Sequence, residues 1–134
     1  MGNDGVAAVE KALSLLDCFK PGAESHSLGT LSQATGMHKT TVYRLMNSLE
    51  RMGYVVRSSS GNYALGHRLL YLGKLFEQSF HLSTVVEPVL FDLAALAKES
   101  ASYYVHENGN RLCLFRVEPS EGLRETRLPG TSLP

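Results

Sequence analysis

Apolar side chains recur every three or four residues along three stretches in the first half of the chain. This spacing predicts amphipathic helices over residues 6–19, 28–35 and 38–52. A buried face is expected on each helix. The residues expected on these three faces are Val9, Ala12, Leu13, Leu16 and Phe19, then Leu31 and Ala34, then Val42, Leu45, Met46, Leu49 and Met52.

The residues between these helices predict how the chain turns. Ser27 is suited to cap the second helix, and Gly36 is suited to the left-handed turn that ends it. Two short helices joined by such a turn form a helix-turn-helix. After Gly53, two β-prone runs at 54–57 and 62–65 predict a hairpin, which makes the motif a winged one.

The next segment, residues 67–80, is apolar around much of its helical circumference. Such a helix must be covered on several sides. One interpretation is a core helix of this chain, and the favoured one is a linker helix that forms a dimer seam. The residues expected in that seam are Leu69, Leu72, Leu75 and Phe76.

The last part of the chain predicts a helix over 82–100 and strands over 102–106, 111–117 and, shorter, 124–128. Asn108-Gly109 is a strong signal for the hairpin between the first two strands. One helix cannot cover both faces of such a sheet. We therefore expect an incomplete α/β domain or a partner that completes it. The fold class predicted for the whole chain is α+β.

Charge is distributed unevenly although the total is balanced, with 13 Lys+Arg against 13 Asp+Glu. Between Leu28 and Lys74 six basic residues face a single acid, Glu50, whereas residues 81–134 are acidic overall. A local basic excess on a winged helix-turn-helix favours a nucleic-acid partner.

The third helix is expected to enter the major groove with its N-terminal part, where side chains reach base edges and phosphates. The hairpin tip is expected to lie along the backbone or a minor groove. The candidate DNA-binding residues are His38, Lys39, Thr40, Thr41, Tyr43 and Arg44 in the helix, and Arg57 and Ser59 in the hairpin. The alternative is a solvated helix face with ordinary surface charge.

Other chemistry finds little support in the sequence. The two cysteines, Cys18 and Cys113, lie far apart, and no His or Cys spacing suits a metal. Nucleotide-binding glycine motifs, nucleophile-base pairs and carboxylate pairs are absent from the sequence. We therefore predict no enzyme, no metal and no cofactor. With neither a signal peptide nor an apolar run long enough to span a bilayer, we expect a cytoplasmic protein without a membrane partner.

Three segments carry a resemblance to a known family. They are Gly36-Met37-x-Lys39-Thr40-Thr41-Val42-Tyr43-Arg44-Leu45, Gly53-Tyr54 and Tyr63-x-Leu65-Gly66. They resemble the DNA-binding domain of the isocitrate lyase regulator (IclR) family of bacterial transcription factors, and the resemblance extends over nearly the whole chain. His38 departs from the pattern, because many members carry proline or serine there.

The resemblance implies a homodimer or tetramer that binds a palindromic double-stranded DNA operator. It also implies a C-terminal domain that binds a small-molecule effector, often an organic acid. The division expected is a winged domain at 1–66, a linker helix at 67–80 and the start of an effector domain at 81–134. Because members are roughly twice as long as this chain, no effector-binding residue is assigned.

The sequence and the resemblance suggest two alternative functions. The first is a sequence-specific transcriptional regulator, with repression the commoner outcome in the family. The alternative is a metabolite-binding module whose winged domain serves only dimerisation or protein docking. Winged domains also bind RNA or protein, which are the further alternatives as partners.

Overall fold

The computed structural model describes residues 4–79, 82–119 and 132–133. Contacts divide the chain into two compact units, Met1–Lys74 and Leu75–Pro134. The elements in chain order are α1 (Ala7–Leu16), α2 (Leu28–Thr35), α3 (Lys39–Arg51), β1 (Val55–Arg57), β2 (Tyr63–Leu65), α4 (Arg68–Ser79), α5 (Leu82–Ala97), β3 (Ala101–Glu107), β4 (Asn110–Val117) and β5 (Ser132–Leu133). Three helices followed by a two-stranded hairpin confirm the predicted α+β fold with a winged helix-turn-helix.

One apolar core holds the first unit together. It contains residues from all three helices and from both strands of the hairpin, so each element buries part of its surface against the others. Full burial of a side chain of this size contributes about 1.5–3 kcal/mol relative to leaving it exposed. The buried residues are Leu15, Leu31, Val42, Met46, Leu49, Val55 and Tyr63.

The predicted buried face of α1 is wrong in part. Val9 and Leu13 are each 54% exposed, whereas Leu15 is fully buried. The reason is that α1 packs against α2 and α3 along one arc, and the described part of the chain leaves the apolar residues outside that arc largely uncovered. Ala34 and Met52, also expected inside, are exposed as well.

Local hydrogen bonds fix the helix-turn-helix geometry as predicted. The Ser27 side chain accepts a hydrogen bond from the Thr30 amide, and Thr30 Oγ1 accepts one from the Ser27 amide, which together form a capping box. Gly36 ends α2 with φ +75°, the left-handed conformation that glycine adopts without strain. In the turn, Ser32 Oγ donates to the Met37 carbonyl at 2.5 Å, which fixes the chain before α3.

An unpredicted strand-like pairing joins the loop after α1 to the wing. The backbone amide of His26 donates to the Tyr63 carbonyl at 3.0 Å, and the amide of Tyr63 donates to the His26 carbonyl at 2.8 Å. The His26 ring lies 2.9 Å, through Nε2, from the carbonyl oxygen of Cys18. The end of α1 and the second wing strand are therefore held together.

Helix α4 has no buried residue. Leu72, Leu75 and Phe76 are 37%, 39% and 43% exposed. The interpretation of this segment as a core helix of this chain is therefore wrong for the described residues, because the chain itself covers none of these side chains fully.

The second unit is a three-stranded antiparallel sheet in the order β3-β4-β5, with α5 packed against β3 and β4. Asn108 and Gly109 both have positive φ, as the predicted hairpin turn requires. Leu90 and Ala94 of α5 pack with Val117 of β4. Pro88 lies inside α5 without ending it. The strand predicted at 124–128 lies outside the described residues.

Both cysteines are free thiols, and burial raises the pKa of the Cys18 thiol. Within residues 4–79, 82–119 and 132–133, no three His, Cys, Asp or Glu side chains are grouped so that they could hold a metal ion. No single helix there is long and apolar enough to cross a membrane. Helices α4 and α5 reach that length and composition only when counted together.

Candidate nucleic-acid interface

Helix α3 turns one face to the core and presents the other to solvent. Val42, Met46 and Leu49 are buried, which fixes the rotation of the helix about its axis. Because successive residues turn by about 100°, the opposite arc must point outward. Thr40 and Arg44, two of the predicted contact residues, are exposed on that arc, and Tyr43 is exposed at its edge. Thr41, at the other edge, is half-buried, and Lys39 is exposed at the first position of the helix.

The first turn of α3 offers backbone amide donors. His38 is the N-cap residue, with an extended backbone, and its exposed side chain makes no capping hydrogen bond within the described residues. The amides of the first turn of a helix have no partner inside the helix and favour an anion such as a phosphate. The imidazole of His38 therefore leaves this end of the helix open instead of closing it.

The wing is a tight hairpin with a polar tip. The amide of Ser58 donates to the Asn62 carbonyl at 2.8 Å, and the hydroxyls of Ser58 and Ser60 lie 2.7 Å apart. Gly61 has φ +91°, which a residue with a side chain rarely adopts. Ser59, the predicted contact residue at the tip, is exposed between these anchored positions.

The structure brings the wing residue Arg57 to the third helix, a contact that the sequence did not predict. The Arg57 guanidinium carbon lies 5.8 Å from the centre of the Tyr43 ring and 5.3 Å from that of Tyr63. Both distances allow a cation–π attraction. Arg57 therefore connects the wing to Tyr43 of α3 while it stays exposed.

Tyr63 lies beneath this contact and is fully buried. Burial raises the pKa of its hydroxyl, and the nearby Arg57 cation lowers it in part. The Tyr63 hydroxyl oxygen has no hydrogen-bond partner within the described residues. In the site, its ring therefore lies against the Arg57 guanidinium, and its hydroxyl is not bonded to a described residue.

A cleft of about 590 Å³ lies between α1 and α3, next to the exposed face of α3. Lys11 of α1 and Arg51 at the end of α3 line it, and neither was a predicted contact residue. Only the packing of α1 against α3 places Lys11 there, so no signal in the sequence of α1 alone could reveal it. Its other lining residues are Ala7, Ala8, Thr41, Arg44, Leu45, Asn47 and Ser48.

The predicted dimerisation residues lie along α4. Leu69 is half-buried, and Leu72, Leu75 and Phe76 are exposed. A second exposed apolar strip lies on α1, where Val6, Val9 and Leu13 are each more than half exposed. Neither strip shares a residue with the candidate DNA-binding residues.

The chain is similar to known proteins over most of its length. Residues 8–59 match a family model described as the IclR helix-turn-helix domain. The HTH-type transcriptional regulator KipR of Bacillus subtilis is 31% identical over 118 residues, which cover 87% of this chain and 46% of KipR. The transcriptional repressor IclR of Escherichia coli is 25% identical over 132 residues, which cover 96% of this chain and 48% of that protein. Neither is named as an enzyme.

Solved structures share the fold. An IclR family transcriptional regulator from Brucella abortus superposes with a TM-score of 0.90 at 29% identity, over 98% of this chain and 50% of that one. An IclR homologue from Microbacterium hydrocarbonoxydans, solved with 4-hydroxybenzoate, superposes with a TM-score of 0.69 at 19% identity, over 96% and 53%. The chain thus spans about half the length of the relatives that it matches.

Proposed function

Because the chain belongs to the IclR family of transcriptional regulators, we propose that it binds double-stranded DNA sequence-specifically through α3 and the wing. The observation that carries this proposal is the outward arc of α3. Five predicted contact residues on or beside that arc are accessible at the start of a helix whose first turn is open. In a helix-turn-helix this part of the second helix lies in the major groove.

Charge supports a phosphate-rich partner for this face. Lys39, Arg44 and Arg57 are exposed, and no ion pair to a carboxylate engages them within residues 4–79. Cations that neutralise phosphates release counterions from DNA, which supplies most of the sequence-independent affinity. These residues therefore give the winged unit a general attraction for duplex DNA.

Side chains that can distinguish bases lie among these cations. Arg44 has the planar fork that binds a guanine edge through two hydrogen bonds, and Thr40 and Thr41 carry methyl groups that suit thymine. Tyr43, held by Arg57, presents a ring and a hydroxyl at a defined place. We assign sequence preference to Thr40, Tyr43 and Arg44, and backbone contacts to His38, Lys39, Thr41, Arg57 and Ser59.

We further propose that the protein acts as a homodimer, with tetramers as an extension of the same contacts. The exposed apolar strips on α1 and α4 lack cover in the single chain. Apolar side chains removed from water at a subunit contact stabilise it by about 25 cal/mol for each Å² buried. A two-fold dimer of this kind suits a palindromic operator.

Replacing Leu72 with aspartate tests the dimer contact. The variant Leu72→Asp is expected to raise the dimer dissociation constant at least about tenfold, because a buried charge without a partner is costly at an interface. The matched control is Leu70→Asp, which puts the same charge about 160° around α4 from Leu72, at a leucine that is 67% exposed. Sedimentation equilibrium measures both, and equal dissociation constants would show that α4 is not in the dimer contact.

For the full-length protein we propose control by a small-molecule effector, with an organic acid as the chemical class. The homologue solved with 4-hydroxybenzoate, which carries a carboxylate, supports this class. In this proposal residues 1–66 are the DNA-binding domain, 67–80 the linker helix and 81–134 the start of the effector-binding domain. We propose repression as the outcome of DNA binding, in line with the name of the Escherichia coli relative. We propose the cytoplasm as the location of the protein.

Selection of DNA sequences from a random duplex pool tests the proposal directly. We expect the chain to enrich a palindrome whose half-sites lie about one helical turn, or a multiple of it, apart. Recovery of a random set of sequences would contradict sequence-specific binding. If the chain recovered only random sequences and also bound small organic acids tightly in calorimetry, the alternative of a metabolite-binding module would replace the proposal.

A further inference from the structure

The cleft between α1 and α3, lined by Lys11, Arg44 and Arg51, has the chemistry of an anion-binding surface. Three cations line it, and none of the described residues that line it is acidic. Thr41, Asn47 and Ser48 add side-chain hydrogen-bond donors along one wall. Arg44 belongs to the predicted contact residues, whereas Lys11 and Arg51 extend the basic surface beyond them.

The cleft lies on the flank of α3 away from the wing. Tyr43 is on the flank that meets Arg57 of the wing. Thr41 and Ser48 lie on the other flank, roughly 140–160° around the helix from Tyr43, and both line the cleft. The outward arc of α3 therefore has one basic structure on each side, the wing on one and Lys11 of α1 on the other.

The width of the major groove indicates what the two basic flanks of α3 would contact on DNA. The major groove is about 12 Å wide, and a helix with its side chains is about 10–12 Å across. A helix in the groove must therefore place its two flanks against the two phosphate backbones that border the groove. A wing on one flank can serve only one of these backbones.

We propose that the α1–α3 cleft binds the phosphate backbone on the side of the major groove opposite the wing. In this arrangement Lys11 and Arg51 hold phosphates, and Arg44 lies between the cleft and the base edges. The inference rests on the proposed function and adds to it a second backbone contact, supplied by a helix outside the helix-turn-helix motif. Lys11 is a positioning residue, because a phosphate contact fixes the register of the protein without reading sequence.

This site is compatible with a dimer through α1. Val6, Val9 and Leu13, the exposed apolar strip of that helix, lie about 140–160° around it from Lys11. A partner protomer seated on this strip leaves the opposite side of α1 accessible. One helix can therefore contribute to the subunit contact and to the DNA contact at once.

The test compares Lys11→Gln with Lys20→Gln. Both variants remove one exposed lysine, but Lys20 follows the end of α1 and does not line the cleft. Affinity for a fluorescein-labelled duplex of mixed sequence, about three helical turns long, is measured by anisotropy between about 50 and 200 mM salt. The duplex recovered by sequence selection is measured in parallel.

We expect Lys11→Gln to reduce the slope of log affinity against log salt by about 1 for each bound protomer. For each bound protomer, affinity should fall about five- to tenfold near 0.1 M salt, because one phosphate contact contributes a slope of about 0.9. The loss should be equal on the mixed and on the selected duplex. Lys20→Gln should keep the wild-type slope.

Two results would overturn the inference and leave the proposed function standing. The first is an unchanged slope for Lys11→Gln while the wild type binds duplex DNA with strong salt dependence. The second is a change in the dimer dissociation constant of Lys11→Gln that accounts for its weaker binding, since the cleft would then belong to the subunit contact. Absence of salt-dependent binding by the wild type would instead reject the proposed function itself.

Discussion

Replacement of Gly66 by alanine is expected to destabilise the winged unit by about 1–3 kcal/mol. Gly66 follows β2 and is buried. A methyl group at this position would meet the carbonyl group of Gly53 and, at 3.0 Å, the carbonyl carbon of Tyr54. Both neighbours are backbone atoms, which cannot move away as the end of a flexible side chain could.

Two hydrogen bonds prevent the backbone from relaxing around that methyl group. The Gly66 amide donates to the Tyr54 carbonyl at 2.8 Å, and the Arg68 amide donates to the Gly53 carbonyl at 3.1 Å. Together they hold the end of α3 against the junction between the wing and α4. Any shift that makes room for the alanine must lengthen one of these bonds, so the cost appears in the stability of the whole unit.

The matched control is Gly73→Ala in α4. A methyl group there meets nothing within 4 Å, and alanine in a helix interior is more stable than glycine by about 0.5–1 kcal/mol. Urea unfolding followed by tyrosine fluorescence suits the measurement, since the chain has no tryptophan and Tyr54 and Tyr63 lie in this unit. Equal unfolding midpoints for Gly66→Ala and the wild type would contradict this expectation, because the backbone at the junction would then accommodate the methyl group without loss of stability.

Local signals made the helix-turn-helix and the hairpins predictable. Ser27, Gly36 and Asn108-Gly109 each determine a backbone geometry over a few residues, and the structure shows the expected cap and left-handed conformations. These features depend on steric limits and hydrogen bonds within one turn. No knowledge of distant residues is needed to predict them.

Contacts between elements were not predictable in the same way. Val9 and Leu13 fit a helical stripe as well as Leu15 does, yet only Leu15 meets the core, because α1 crosses its neighbours along a narrow arc. Likewise, Lys11 joins the α3 surface and Arg57 meets Tyr43 only through packing. A single sequence gives the period of a helix but not the rotation at which its neighbours meet it.

Replacement of Arg44 by alanine is expected to weaken binding to the selected duplex by about 1–3 kcal/mol, or about 5- to 150-fold. Arg44 is exposed in the second turn of α3, between the outward arc and the basic cleft. It can therefore reach a guanine edge or a phosphate, and either contact has an energy in this range. The core-facing residues of α3 lie on the other side of the helix, so the fold should be unaffected.

The control for charge is Arg111→Ala. Arg111 lies in β4 of the second unit, where its guanidinium is 5.0 Å from the centre of the Tyr104 ring. The variant loses the same charge from an exposed arginine outside the helix-turn-helix. A loss of affinity shared by both variants would indicate a general effect of net charge, not a contact made by α3.

The most direct test of the claim that α3 reads DNA is the affinity of Arg44→Ala for the selected duplex. The wild type and Arg111→Ala are measured on the same duplex for comparison. We expect a loss of about 5- to 150-fold for Arg44→Ala and wild-type affinity for Arg111→Ala. Wild-type affinity for Arg44→Ala on the selected duplex would contradict the assignment of α3 as the recognition helix.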